Sequence, residues 1–254
     1  MGRSEAWEPL PALQALVTDL EPELLVVTGD LAHRGRREEL ETASTLLRGL
    51  DLPLLVVPGN HDVPYTIPAR FTRTYAAWLD VFGPTDAAYA SEHFVVAGVS
   101  SVRPWRQQGG AVDRVRLAAA IDRLQQGPPD ALRIVALHHH LAAPPWRAAR
   151  KRPLSDRDAV LRTLVAGGVE LVIGGHVHQA SFTERREFKV LEEGPRPSLV
   201  LATAAALGRP RPKRKEEARG LNVYETDAAT IRIRTFSWDG AGFLQVGERA
   251  FARR

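Results

Sequence analysis

The 254-residue sequence contains no cysteine, and its charges nearly cancel. Without cysteine the chain can form neither disulfides nor thiolate metal sites, so any metal must be held by nitrogen and oxygen ligands. A net charge of +4, carried by scattered basic residues, argues against duplex nucleic acid as a partner. The densest basic run, residues 209–215, is followed at once by two glutamates. We interpret it as a solvated loop, with a phosphate-contacting loop as the alternative.

The sequence also lacks an apolar run long enough to cross a bilayer, and residues 1–10 contain no hydrophobic signal-peptide core. We therefore expect a cytoplasmic protein with no membrane partner. A hydrophobic fraction of 44% and a charged fraction of 25% are typical of a globular protein. Because the sequence shows neither an internal repeat nor a clear linker, residues 1–254 are predicted to form one domain.

Short apolar segments alternate with helical patterns through most of the chain. Residues 24–28 and 54–57 are rich in leucine and valine, which predicts strands buried on both faces, and residues 36–50 between them have helical spacing. The strands of such a β-α-β unit end at the same edge of the sheet, where Asp30 and Asn60 would lie side by side. Further strands are predicted at residues 94–99, 133–137 and 170–173, and further helices at residues 114–125 and 156–165.

Beyond residue 180 the alternation stops, and successive strands are predicted at residues 182–190, 198–202, 221–225 and 230–236. Mixed β-α units followed by antiparallel strands favour an α/β fold in which two mixed sheets are flanked by helices.

Four polar clusters each follow a predicted strand: Gly29-Asp30, Gly59-Asn60-His61-Asp62, His138-His139-His140 and Gly175-His176-Val177-His178. Aspartate, asparagine and histidine are ligands for divalent first-row metals. Two such metals can activate a water and clamp a phosphoryl group. Taken singly, Asp30 has an ordinary explanation as a turn residue and Asp62 as a helix N-cap. The four clusters in this order favour a two-metal site.

In this order the clusters resemble those of the calcineurin-like metallophosphoesterases, in particular the bacterial branch similar to class III cyclic-nucleotide phosphodiesterases. Residues 201–225 also resemble that branch. The resemblance implies a four-layer α-β-β-α sandwich. It also implies a phosphoesterase that uses a metal-bound hydroxide, with a phosphodiesterase as the preferred kind. It implies a small phosphodiester or nucleotide substrate. A nuclease or phosphomonoesterase on the same site stays open, and so does a homodimer.

The resemblance further implies a two-metal cofactor of manganese, iron, zinc or similar ions. The implied ligands are Asp30, bridging both metals; Asn60, His138 and His176, completing the second site; and His178, belonging to the first.

Two more residues would act on the substrate. The resemblance implies that His61 contacts the phosphoryl group and assists the leaving oxygen, and that Asp62 orients and charges His61 through a hydrogen bond. Within the histidine triplet, the family register favours His138 as the ligand, with His139 and His140 lining the pocket or facing solvent. A slip of one residue would exchange these roles.

The family pattern opens with Asp-x-His on an earlier strand, which this sequence lacks. Asp19 lies in a predicted helix, and His33 is the first histidine. The first metal would then be under-ligated and weakly held. We expect the chain to start at an internal methionine, so that it is N-terminally truncated relative to the family pattern and its first strand is missing. In-frame codons upstream of Met1 that lack Asp-x-His would contradict this. The alternative is true divergence, giving a catalytically impaired or inactive phosphate- or metal-binding protein.

Substrate choice in such a fold depends on the loops. The candidate loops are residues 64–73, 104–110 and 141–153. Trp105 and Trp146 are placed to stack on a base, although packing within the fold is an equal alternative.

Overall fold

The computed structural model describes residues 7–106, 108–142, 153–186, 198–208 and 218–253. Its helices are α1 (Leu10–Leu20), α2 (Arg37–Arg48), α3 (Ala69–Thr72), α4 (Ala76–Phe82), α5 (Arg114–Gln125) and α6 (Arg157–Ala166). Its strands are β1 (Leu25–Val27), β2 (Leu54–Val56), β3 (Ala88–Ala90), β4 (Phe94–Gly98), β5 (Leu132–Ala136), β6 (Leu171–Gly174), β7 (Ser181–Arg186), β8 (Ser198–Thr203), β9 (Gly220–Thr226), β10 (Thr230–Trp238) and β11 (Phe243–Ala252). None of the helices in these ranges is long and apolar enough to cross a membrane.

The larger sheet has the strand order β3-β4-β5-β6-β8-β7. Its inner strands β4, β5, β6 and β8 run parallel, and β3 and β7 pair antiparallel at the two edges. Alternate residues of the inner strands face opposite layers: Val135 packs with the core that includes helices α5 and α6, while Ile134 packs with the strands of the second layer. Burial on both faces explains why these strands are continuous apolar runs.

The second strand layer combines a parallel pair, β1-β2, with an antiparallel group in the order β11-β10-β9. Leu55 of β2, Ile231 of β10 and Phe251 of β11 all pack in one buried cluster with Ile134 of the larger sheet. On the outer side of this layer, helices α1, α2 and α4 contribute to a third cluster, in which Trp78 is fully buried. The layers therefore follow the order α-β-β-α, and the predicted fold class is confirmed.

The predicted parallel strands and long helices lie within one or two residues of the observed ones. Helices α3 and α4 and strands β3 and β11 were not predicted. Strand β11 lacks an apolar alternation and most of its residues are exposed. It forms because it pairs with β10 along its whole length, from Thr230 opposite Ala252 to Trp238 opposite Phe243. The basic run at 209–215, Trp146, and residues 187–190 of one predicted strand lie outside the described residues.

A buried ion pair joins the two strand layers at the end opposite the strand carboxyl termini. The guanidinium of Arg253, just after β11, lies 3.3–3.4 Å from both carboxylate oxygens of Glu170, which precedes β6. It also donates to the backbone carbonyls of Asp227 (2.8 Å) and Asp130 (2.9 Å). Arg253 therefore ties the β9-β10 turn to the turns that lead into β5 and β6.

We expect Arg253→Ala to lower the free energy of unfolding by about 3 kcal/mol, because it removes the guanidinium that pairs with the buried Glu170 carboxylate. Chemical denaturation measures this. Arg232→Ala is the matched control, since Arg232 also lies beside a glutamate, Glu248 at 3.6 Å, but both side chains are half exposed. The control should cost no more than about 0.5 kcal/mol. Equal losses in the two variants would contradict the assigned role of Arg253.

Candidate metal centre

The topology brings the predicted polar clusters to one edge of the sandwich. In the parallel pair β1-β2, Val27 lies opposite Val56, so that the segments carrying Asp30 and Asn60 leave the layer side by side. In the larger sheet, Ala136 of β5 lies opposite Ile173 of β6, and the next residues lead to His138 and His176. Two sheets thus each deliver a pair of candidate ligands from the carboxyl ends of parallel strands.

His138 lies at the centre of this group. Its Nδ1 donates to the carbonyl oxygen of Thr28 at 2.7 Å, because a carbonyl can only accept. In the neutral ring Nε2 then carries a lone pair. Nε2 lies 3.0 Å from Asn60 Oδ1, 3.1 Å from His176 Nδ1 and 3.4 Å from Asp30 Oδ1. A backbone carbonyl that fixes the tautomer of a histidine in this way is typical of metal ligands.

These separations fit a bound cation. Ligand atoms about 2.1 Å from a tetrahedral metal ion lie about 3.4 Å apart, and those around an octahedral ion about 3.0 Å apart. The distances from His138 Nε2 to the other donor atoms fall in this range. The donor set contains imidazole, amide and carboxylate groups, which suits zinc, iron or manganese. Asp30, Asn60, His138 and His176 could therefore hold one divalent metal.

The loops after β1 and β2 approach so closely that each needs a glycine. A Cβ on Gly29 would lie 2.5 Å from the backbone nitrogen of Gly59, and a Cβ on Gly59 would lie 2.3 Å from the backbone nitrogen and Oδ1 of Asp30. Gly29 also has a positive φ of 86°. A side chain at either position would push Asp30 away from Asn60.

Three candidate ligands adopt a left-handed backbone that non-glycine residues rarely use. The φ angles are 61° at Asp30, 67° at His176 and 58° at His178. Each such residue costs on the order of 1 kcal/mol, and such residues cluster where side chains must be aimed at a ligand. In the turn after β6 the positive φ angles belong to the two histidines and not to Gly174 or Gly175, which precede them.

Asp62 holds the two loops together. Its Oδ2 accepts hydrogen bonds from the backbone N–H groups of Asp30 (2.7 Å) and Gly59 (2.8 Å), and its Oδ1 accepts from that of Ala32 (2.7 Å). The sequence predicted that Asp62 would orient His61. In the structure the carboxylate instead satisfies three backbone donors, because the close approach of the loops leaves those donors pointing at it.

His61 is oriented by other groups. Its Nδ1 lies 3.0 Å from the carbonyl oxygen of His33, and its backbone N–H donates to Asp30 Oδ1 at 3.1 Å. The proton on Nδ1 faces that carbonyl, which leaves Nε2 as the ring nitrogen available to a substrate. The ring lies between those of His33, with centroids 6.1 Å away, and Tyr65, 6.0 Å away.

The two carboxyl groups of the site, Asp30 and Asp62, have different protonation behaviour. Burial alone would raise the pKa of Asp30, but the nearby charges of His138, His61 and His178, with the His61 N–H bond, hold it well below its usual range. Burial and the charge of Asp30 raise the pKa of Asp62 to about 7, against the effect of the backbone N–H bonds it accepts. Asp30 is therefore the carboxylate that keeps its negative charge at the centre of the site.

The other two triplet histidines are buried as well. His139 Nδ1 lies 2.8 Å from Ser101 Oγ, and its ring centroid is 4.7 Å from that of His176. A nitrogen of His139 lies within 4.8 Å of nitrogens of both His138 and His176. His140 stacks on His176 with centroids 5.9 Å apart. Neither faces bulk solvent.

Sequence reasoning did not identify Thr28, Ser101 or the carbonyl of His33 as parts of the site. No local signal could have revealed them, because Thr28 and His138 are 110 residues apart and two of these contacts use backbone atoms.

Comparison with known proteins places this site in a family. Residues 6–180, more than half of the chain, match the family model described as calcineurin-like phosphoesterase. Over 174 residues the chain is 25% identical to the probable glycerophosphodiester phosphodiesterase GpdQ of Arcobacter nitrofigilis, covering 64% of this chain and 59% of that protein. Over 176 residues it is 20% identical to a probable cyclic nucleotide phosphodiesterase of Vesicomyosocius okutanii, covering 69% and 70%.

A 41-residue segment is 49% identical to the glycerophosphodiester phosphodiesterase GpdQ of Enterobacter lignolyticus. This segment covers 16% of this chain and 15% of that protein. The chain thus spans less than two thirds of the length of either GpdQ protein. The family match, however, includes every candidate site residue from Asp30 to His178. The chain belongs to the calcineurin-like phosphoesterase family.

Proposed function

We propose that this chain is a metal-dependent phosphodiesterase acting on small phosphodiesters. The observation that carries the proposal is the set of donor atoms 3.0–3.4 Å from His138 Nε2, contributed by both sheets. The two GpdQ proteins and the cyclic nucleotide phosphodiesterase support a diester rather than a monoester.

Divalent metals at Asp30, Asn60, His138, His176 and His178 would supply Lewis-acid stabilisation of phosphoryl charge and an activated water. The chain's own groups position the reaction. Asp30 keeps its charge, and Nε2 of His61, the ring nitrogen that does not face the His33 carbonyl, can contact a phosphoryl oxygen and, when protonated, give its proton to the departing alcohol oxygen.

A metal-binding protein without turnover is a second candidate. Of the family's first-site ligands the chain contains Asp30 and His178 but no Asp-x-His before them, since His33 is its first histidine. A metal held by two side chains binds weakly. In this case the second site, around His138, would still bind a metal ion.

The test is hydrolysis of bis(4-nitrophenyl) phosphate with added manganese, together with a count of metal ions per chain. We expect turnover that falls about 100-fold in Asn60→Ala, through weaker metal binding, and in His61→Ala, through loss of the acid. Only Asn60→Ala should reduce the metal content.

Unchanged turnover in both variants would rule out the proposed phosphodiesterase. One metal per chain in a folded protein that hydrolyses no ester would favour the second candidate, and two metals per chain would exclude it.

A further inference from the structure

Two exposed aromatic residues lie on neighbouring loops, and the ring of one of them, Tyr65, stacks near that of His61. Tyr65 follows the Asn60-His61-Asp62 turn and is 42% exposed, and Trp105 follows β4 and is 66% exposed. We call this pair the aromatic lip. Single exposed aromatics are common on protein surfaces, but two on adjoining loops next to a catalytic centre need a reason.

The loops that carry the lip are fixed to each other by a buried arginine. Arg70 is only 4% exposed, and burial lowers the pKa of its guanidinium. It donates to the carbonyl oxygens of Pro64 (3.0 Å) and Pro104 (2.5 Å). Tyr65 and Trp105 are the next residues after those carbonyls. One guanidinium therefore holds both backbones, and the two rings are exposed although their loops are rigidly tied.

Both loops that carry the lip approach the candidate metal centre. The rings of His33, His61 and Tyr65 form a row with centroids about 6 Å apart, so Tyr65 is one ring from the expected phosphoryl contact. The loop of Trp105 packs on the histidines, since a Cβ on Gly110 would lie 2.4 Å from the ring of His139. A phosphodiester bound at His61 would therefore have the Tyr65 ring within reach of its alcohol group.

We infer, on the basis of the proposed function, that the aromatic lip binds a planar ring in the alcohol group of the substrate. Ring faces stack on bases and aryl groups but gain little from a glycerol chain. The substrate class is then a nucleotide or aryl phosphodiester rather than a glycerophosphodiester.

The experiment compares kcat/KM for bis(4-nitrophenyl) phosphate with that for glycerophosphoethanolamine. Tyr65→Ala and Trp105→Ala should each lower the ratio of kcat/KM for the ring substrate to that for the glycerol substrate about tenfold. Tyr65→Phe should retain the wild-type ratio, because it retains the ring. Val115→Ala, which removes a 79% exposed side chain on α5, is the control and should change neither value. Equal losses on both substrates, or no loss on either, would overturn the assignment.

A binding measurement keeps the lip testable if no ester is turned over. AMP should quench the part of the tryptophan fluorescence that is lost in Trp105→Phe, whereas glycerol 3-phosphate should not. Quenching without turnover would support the lip and count against the phosphodiesterase. Absence of quenching in a protein that hydrolyses the aryl ester would overturn the lip alone.

Discussion

Replacing His138 with alanine should reduce turnover at least about a thousandfold and remove bound metal, because metal stabilisation is worth several kcal/mol and each 1.36 kcal/mol is a factor of ten. The physical reason is the position of Nε2, which lies within 3.4 Å of donor atoms from Asn60, His176 and Asp30. Without this ring the site loses the donor atom that lies within 3.4 Å of all three of the others. Metal content after dialysis and kcat/KM with manganese measure the two effects separately.

His140→Ala is the matched control for His138→Ala. Both rings are buried, and both lie against His176, with centroids 5.0 Å away for His138 and 5.9 Å away for His140. We expect the control to retain its metal and to lose less than about tenfold in turnover, since it removes packing and no ligand. Loss of metal in His140→Ala with retention in His138→Ala would show that the register within the triplet is shifted.

Metal binding should also stabilise the folded protein against unfolding. A ligand that binds only the folded state adds about 2.7 kcal/mol at a hundred times its Kd. Manganese should therefore raise the melting temperature of the wild type and of His140→Ala, but not that of His138→Ala. This comparison needs no turnover, so it identifies the ligand even in an inactive chain.

The fold was largely predictable because its parallel strands are buried on both faces. Continuous apolar runs such as Leu171–Gly174 and helices with a single apolar face leave few other arrangements. Strand β11 could not be predicted, since pairing with β10, not its own pattern, keeps it extended. Tertiary context decides such edge strands.

The sequence indicated which side chains come together in the candidate site, but not which hydrogen bonds position them. Asp30, Asn60, His138 and His176 were expected as ligands of one metal, and the structure brings their side chains together. The hydrogen bonds that aim them could not be predicted, because they join distant segments through backbone atoms, as from Thr28 to His138 and from His33 to His61. A sequence pattern indicates which side chains reach the edge of a sheet. It does not indicate which backbone carbonyl each will contact, because every residue has one.

Among the hydrogen bonds that the sequence did not reveal, those of Asp62 have the largest effect on stability. Asp62→Ala should lower the free energy of unfolding by about 4 kcal/mol, because a backbone donor left without its acceptor costs about 1–3 kcal/mol and three donors lose theirs. Those donors belong to Asp30, Gly59 and Ala32. Activity should disappear as well, since the loops that carry Asp30 and Asn60 would separate.

Asp62→Asn separates the hydrogen-bonding role from the role of charge. The pKa of Asp62 is raised to about 7 by burial and by the charge of Asp30, so the folded site disfavours its anion. Asparagine removes that repulsion and keeps one acceptor oxygen, which can still serve Asp30 and Gly59. We therefore expect Asp62→Asn to cost about 2 kcal/mol less than Asp62→Ala and to keep much of its metal. If Asp62 acted instead by charging His61, Asp62→Asn would lose turnover as fully as Asp62→Ala while its unfolding curve stayed close to that of the wild type. Denaturation and turnover measured on the same two variants distinguish a carboxylate that holds the loops from one that activates the histidine.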